Sequence, residues 1–144
     1  MTEIRAITEA DLPEVLRMAQ ALAAHHGDLA VLTLEDLRRD TLGAAPWVHV
    51  LIAEGAGYAA LCPMAQLQFG VRGMDLHHLF VVPEVRGDGV GRALVEASLA
   101  LTKELGGRFM TVGTDPENFA AQDTYRALGF EQRDASGPRF SMKW

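Results

Sequence analysis

Leu79-Phe80-Val81-Val82-Pro83-Glu84-Val85-Arg86-Gly87-Asp88-Gly89-Val90-Gly91-Arg92-Ala93-Leu94 decides how this chain folds. Its first part is apolar and strand-like, and Pro83, which lacks an N–H, ends the pairing. Its last part opens a helix, with Val90, Leu94, Ala97 and Leu101 along one face and Gly106-Gly107 as the stop. Between them lies a glycine-rich turn. The first amides of a helix have no internal partner, and the helix dipole places partial positive charge there. Glycines let an anion approach that backbone closely, so the turn is a phosphate cradle. A dinucleotide fingerprint fails, because Arg92 stands where its third glycine belongs. A Walker A loop fails too, because the chain has no Gly-Lys pair.

Upstream, Met74–Val82 is the clearest strand. Trp47–Glu54 and Tyr58–Leu67 precede it, joined by turns at Gly55-Ala56-Gly57 and around Gly70–Gly73. Short turns between consecutive strands predict an antiparallel meander, with Pro63 at an edge or a bulge. Glu3–Ala6 reads as a short strand. Thr8 with Asp11, and Thr33 with Asp36, then mark two helix starts, and Gly27 and Gly43 mark the stops. Downstream, Arg108–Gly113 reads as a strand and Asn118–Leu128 as a helix capped by Gly129. Phe130–Arg133 and Arg139–Lys143 read as two last strands around Ser136-Gly137-Pro138. The expected order is β-α-α-β-β-β-α-β-α-β-β, one α/β domain over residues 1–144 with a mixed, mostly antiparallel sheet flanked by helices.

A chain of 144 residues can bury roughly 70% of its unfolded surface without staples. The net charge of −6 argues against nucleic-acid partners, which need a basic face, and favours cationic ones. Cys62 is the lone cysteine, which suits a reducing cytoplasm. MTEIRAITEADL is too polar for a signal peptide, and no apolar run is long enough for a membrane span.

Arg86-x-x-Gly89-x-Gly91 resembles the acyl-CoA signature of the GNAT (Gcn5-related N-acetyltransferase) superfamily. Asn118-Phe119-Ala120-Ala121-Gln122-Asp123-Thr124-Tyr125, ending in Gly129-Phe130, resembles that superfamily's C-terminal motif. Asn118 and Tyr125 lie two helical turns apart, which predicts one shared face. A weaker similarity, carried by Leu32–Leu37, Pro46–His49 and Gly137–Phe140, links the chain to the diamine acetyltransferase branch. The chain departs from that branch at His77-His78, where an acidic pair is usual, and at His25-His26-Gly27-Asp28.

The resemblance implies an acetyl-CoA-dependent N-acetyltransferase acting on a primary amine of a small molecule, by direct attack in a ternary complex. It implies that the cofactor lies against Leu79, Phe80, Val81, Arg86, Gly87, Asp88, Gly89, Val90, Gly91, Arg92 and Asn118. It places Tyr125 at the leaving thiolate as acid, and the Leu79–Val81 amides at the oxyanion. The base is open between His77, Asp75 and a water chain. Strand alternation predicts Asp75, His77 and Leu79 on one face and His78 on the other. Acetylation of a protein amine and acyl-CoA binding without catalysis are the alternative functions. The diamine branch implies a homodimer through C-terminal strands. His25 and His26 read as solvated loop residues, Cys62 as structural, Trp47 and Trp144 as packing residues, and the histidine pairs lack metal-ligand spacing.

Overall fold

The computed structural model describes residues 3–134 and 137–144. Residues 1–113 and 114–144 form two compact units. The first holds β1 (Ile4–Ala6), α1 (Leu12–His25), α2 (Leu34–Leu42), β2 (His49–Ala53), β3 (Gly57–Gln66), β4 (Val71–Val81), α3 (Val90–Glu104) and β5 (Phe109–Val112). The second holds α4 (Phe119–Ala127). Among the described residues the sheet order is β1-β2-β3-β4-β5. The first four strands pair antiparallel, and β5 joins β4 in parallel after the α3 crossover.

Local chemistry sets these boundaries. Thr33 Oγ1 accepts from the Asp36 amide at 3.0 Å, and Asp36 Oδ2 accepts from the Thr33 amide at 2.9 Å, a reciprocal cap that starts α2. Thr8 and Asp11 start a single 3-10 turn that leads into α1. The buried Asp11 carboxylate also accepts from both terminal nitrogens of Arg5, at 2.6 and 2.9 Å. That bidentate pair, together with the Thr8 donors, holds the carboxyl well below the usual carboxylate range. Pro63 follows the last β2–β3 pair, His49 with Leu61, so its missing N–H costs no bond to β2.

Strand alternation splits the sheet into two buried faces. Val50, Ile52, Tyr58, Ala60 and Phe80 pack with Leu12, Val15, Met18, Ala19 and Leu37 of the first two helices. The opposite face, with Leu51, Ala59 and Leu61, is buried where α3 packs on β2, β3 and β4. The buried stripe of α3 is Val90, Leu94, Val95, Ser98 and Thr102, rather than the face through Ala97 and Leu101. Ser98 and Thr102 tolerate burial because their hydroxyls donate to the carbonyls of Leu94 and Ser98, at 2.7 and 2.8 Å.

Two expectations fail. Phe130–Arg133 and Arg139–Lys143 form no strand, and Ser136 of the expected turn lies outside the described residues. Alternation alone does not make a strand, since an isolated hairpin is marginal in water. Trp47 and Trp144 are not packed: Trp47 is 77% exposed and Trp144 fully so. Trp47 precedes the first β2 pair, so no cross-strand neighbour covers it.

Candidate active site

The cradle forms where β4 ends. Pro83–Val85 makes a 3-10 turn, Gly87 and Gly89 take left-handed φ of 89° and 85°, and Gly89 caps α3. The amides of Arg86 and Asp88 donate to Pro83 and Val85 within the turn. Those of Gly87, Gly89, Val90, Gly91 and Arg92 find no acceptor among the described residues. A cluster of unpaired donors at the positive end of a helix of 15 residues has the chemistry to receive phosphate oxygens. Arg86 folds back over the turn. Its Nε donates to the Val81 carbonyl at 2.9 Å, and its guanidinium carbon lies 5.8 Å from the centre of the Phe80 ring. Arg92 pairs with Glu96 one turn on, at 3.0 Å.

Next to the cradle, β4 has an open edge. Its ladder with β5 runs from Gly73–Phe109 to Leu76–Val112 and stops, while β3 stays paired to β4 as far as Val81. From His77 to Val81 the β5 side of the strand therefore has no strand partner among the described residues, and the expected Leu79–Val81 segment lies within this stretch.

The register also corrects the strand faces. Ala60 pairs with His78, yet Leu61 pairs with Leu76, so His77 is an extra residue, a bulge. Register puts Asp75, His78 and Phe80 on the α1 side, and Leu76 and Leu79 on the α3 side. His77 joins the first group, its ring stacked on His78 at 4.3 Å and 17°. Asp75 and His77 thus share a side as expected, but Leu79 leaves it and His78 enters it.

Both rings line a cavity of about 180 Å³ between the first two helices and the sheet. Val15, Leu37, Val50 and Tyr58 form part of its wall, and α2 contributes Asp36 and Asp40. Tyr58 Oη lies 2.9 Å from His78 Nδ1. Burial pushes the phenol up, so it stays protonated, and burial lowers His78 from 6.5 to about 4, helped by His77 and His26. A phenol donates better than a neutral imidazole N–H, which assigns the bond to the phenol and leaves the proton on Nε2. Sequence reasoning missed Tyr58 as a site residue, because only the fold shows its partner on the next strand.

Asp75 Oδ1 accepts from Thr111 Oγ1 at 2.6 Å, across the β4–β5 pair. Cys62 stands opposite Asp75, and its half-buried thiol is raised by burial and then by the Asp75 charge. That disfavours the thiolate a nucleophile needs. His25 and His26 are exposed at the end of α1. No group of metal-ligating side chains assembles among the described residues. No helix there is long and apolar enough to cross a membrane.

In the second unit Tyr125 is buried on α4, edge-on to Phe130 with ring centres 5.5 Å apart. Burial raises its phenol, which keeps it a proton donor near neutral pH. Asn118 caps the helix, its Oδ1 accepting from the Ala121 amide at 3.1 Å. Its backbone is non-helical (φ −85°, ψ 73°) and its side chain is exposed, so Asn118 stands at the cap of α4 and not within the helix that carries Tyr125.

These features now have a family. Residues 12–130 match the signature of the Acetyltransferase (GNAT) family, and the chain belongs to that family. It is 28% identical over 140 residues to a thialysine N-epsilon-acetyltransferase of Bos taurus, covering 88% of this chain and 82% of that protein. It is 31% identical over 140 residues to a mycothiol acetyltransferase of Cellulomonas flavigena, covering 88% of this chain and 40% of that protein. The chain thus spans less than half the length of some curated relatives, 26% in the case of an N-acetyltransferase of Methanocaldococcus jannaschii. The crystal structure of a putative acetyltransferase from Arthrobacter sp. FB24 superposes with a TM-score of 0.76 at 27% identity, covering 100% of this chain and 94% of the other.

Proposed function

We propose that this chain, acting as one domain over residues 1–144, moves an acetyl group from acetyl-CoA to a primary amine of a small molecule. The observation that carries the proposal is the set of unpaired amides at Gly87, Gly89, Val90, Gly91 and Arg92, beside the open edge of β4. A diphosphate meets the cradle, and the arm of the cofactor runs along the free edge.

The chemistry follows from what an amine needs. An alkyl ammonium has a pKa of about 10.4 and no lone pair, so it must lose a proton before it attacks. His77 takes that proton: it is exposed on the bulge, at the cavity where an amine would wait. Asp75, held by Thr111, is the second candidate. The nitrogen then attacks the thioester carbon, and amides of Leu79–Val81 receive the oxyanion. As the C–S bond breaks, Tyr125 supplies a proton to the thiolate, and the second proton shed by the acetylated nitrogen restores the phenol.

A homodimer belongs to the same proposal, supported by Phe140, Met142 and Trp144, which are 92%, 83% and fully exposed. So does residence in the cytoplasm, supported by a lone, half-buried cysteine. The test is thioester consumption over a panel of diamines, amino acids, aminoglycosides and peptides. Turnover with small amines is the expected result. CoA binding without thiol release for any acceptor would leave only a binding domain.

A further inference from the structure

We infer that Tyr58 and His78 are positioning residues, a linked pair that holds the ring of His77 in one orientation at the cavity wall. The use of that ring as a base rests on the acetyl-transfer proposal, but the way it is held does not. His77 is exposed, and an exposed side chain keeps its rotamer freedom unless a neighbour removes it. The bulge supplies the neighbour. In a regular strand consecutive side chains point to opposite faces, and two adjacent histidines could not stack. In β4 the extra residue between the Leu61–Leu76 and Ala60–His78 pairs brings both rings to one side, stacked at 4.3 Å and 17°.

A stack orients His77 only if His78 itself cannot turn. His78 is tied at Nδ1 by the Tyr58 phenol, 2.9 Å away. The two lie diagonally across β3 and β4, because Tyr58 pairs with Phe80 and Ala60 pairs with His78. Ala60 is small and leaves that diagonal open. Tyr58 is in turn fixed by the core: it is 1% exposed, and its ring lies against Phe80 with centres 6.3 Å apart. The bond needs a lone pair on Nδ1, and burial keeps the imidazole in the neutral form that has one. Order thus passes from core to cavity: Tyr58 holds His78, and His78 holds His77. A misplacement of about 1 Å can cost ~10²-fold in rate, so loosening the pair should slow transfer while the diphosphate cradle stays intact.

A double-mutant cycle on the full chain makes the test, with acetyl-CoA and the amine of the panel that is turned over fastest. Tyr58→Phe keeps the ring and removes only the hydroxyl. It should lower kcat by ~10-fold and leave KM for acetyl-CoA unchanged. In a His77→Ala background the same change should cost less than ~2-fold, because no base is left to position. An equal loss in both backgrounds, or no loss in the first, overturns the inference. Proton NMR separates it from the transfer proposal. Stacking on His78 should place the His77 ring protons upfield of those of a free histidine, and Tyr58→Phe should move them back. Free-histidine shifts in the wild type, or upfield shifts that Tyr58→Phe leaves in place, overturn the inference whatever the turnover. Upfield shifts that do move, with no amine acetylated, keep the held ring and remove only the transfer proposal. If Tyr58→Phe does not fold, His78→Leu takes its place in the cycle, and the wild-type spectrum still decides whether the ring is held.

Discussion

Gly89 and Gly91 stand two residues apart and are required for different reasons. Gly89 sits at φ 85°, where any other L-residue is strained by about 1–2 kcal/mol. Gly91 has an ordinary helical place, and a Cβ added there meets only Val81 Cγ2 at 3.6 Å. The fold alone does not need glycine at 91, whereas a phosphate lying against its amide, as proposed, would. Gly91→Ala should therefore keep or raise Tm, by up to about 1 kcal/mol of stability, yet weaken acetyl-CoA binding at least about tenfold. Gly91→Asp should abolish CoA binding in a folded protein, and unchanged affinity in either variant removes the cradle. Tyr125→Phe should lower kcat by about 10²-fold with CoA affinity intact; wild-type turnover would take Tyr125 out of the acid role. His78 gives a pH signature. Between its ordinary 6.5 and its folded value of about 4, the unfolded chain binds a proton that the folded chain refuses. The stabilisation is complete above pH 6.5 and is lost as pH falls toward 4. His78→Gln should flatten the slope of Tm against pH in that window, and an unaltered slope would contradict the assignment.

Elements vary in how openly the sequence announces them. α2 is legible because its start is local chemistry: Thr33 and Asp36 bond each other across one turn. Thr33→Ala should cost about 1 kcal/mol, measured by urea melts, and no loss would show that the cap is unused. The junction of β4, the glycine turn and α3 is legible for the same reason, since strand, glycines and helix adjoin in the chain. The bulge is not. It depends on how Ala60 and Leu61 of β3 meet His78 and Leu76 of β4, a register that no local pattern encodes. That is why His78 was expected on the wrong side, and why its bond to Tyr58 was invisible. The expected last two strands fail in the opposite sense: Phe140, Met142 and Trp144 alternate well, but no ladder forms at those residues.

For the whole molecule, direct attack requires both substrates to be present at once. Initial-rate lines at several amine concentrations should intersect, and Cys62→Ser should retain turnover. Parallel lines with a dead Cys62→Ser variant would mean an acyl-enzyme instead. The bulge acts on this scale too. Because His77 is exposed, nearly any side chain can stand there without upsetting a core, and only chemistry would suffer. Losing the position altogether removes only the bulge. With residue 77 deleted, Leu76 opposite Leu61 would adjoin His78 opposite Ala60 in an unbroken ladder, with Asp75, His78 and Phe80 still under α1 and Leu76 and Leu79 still under α3. A one-codon deletion there would thus keep the sheet and take away only the side chain at 77 and the local twist.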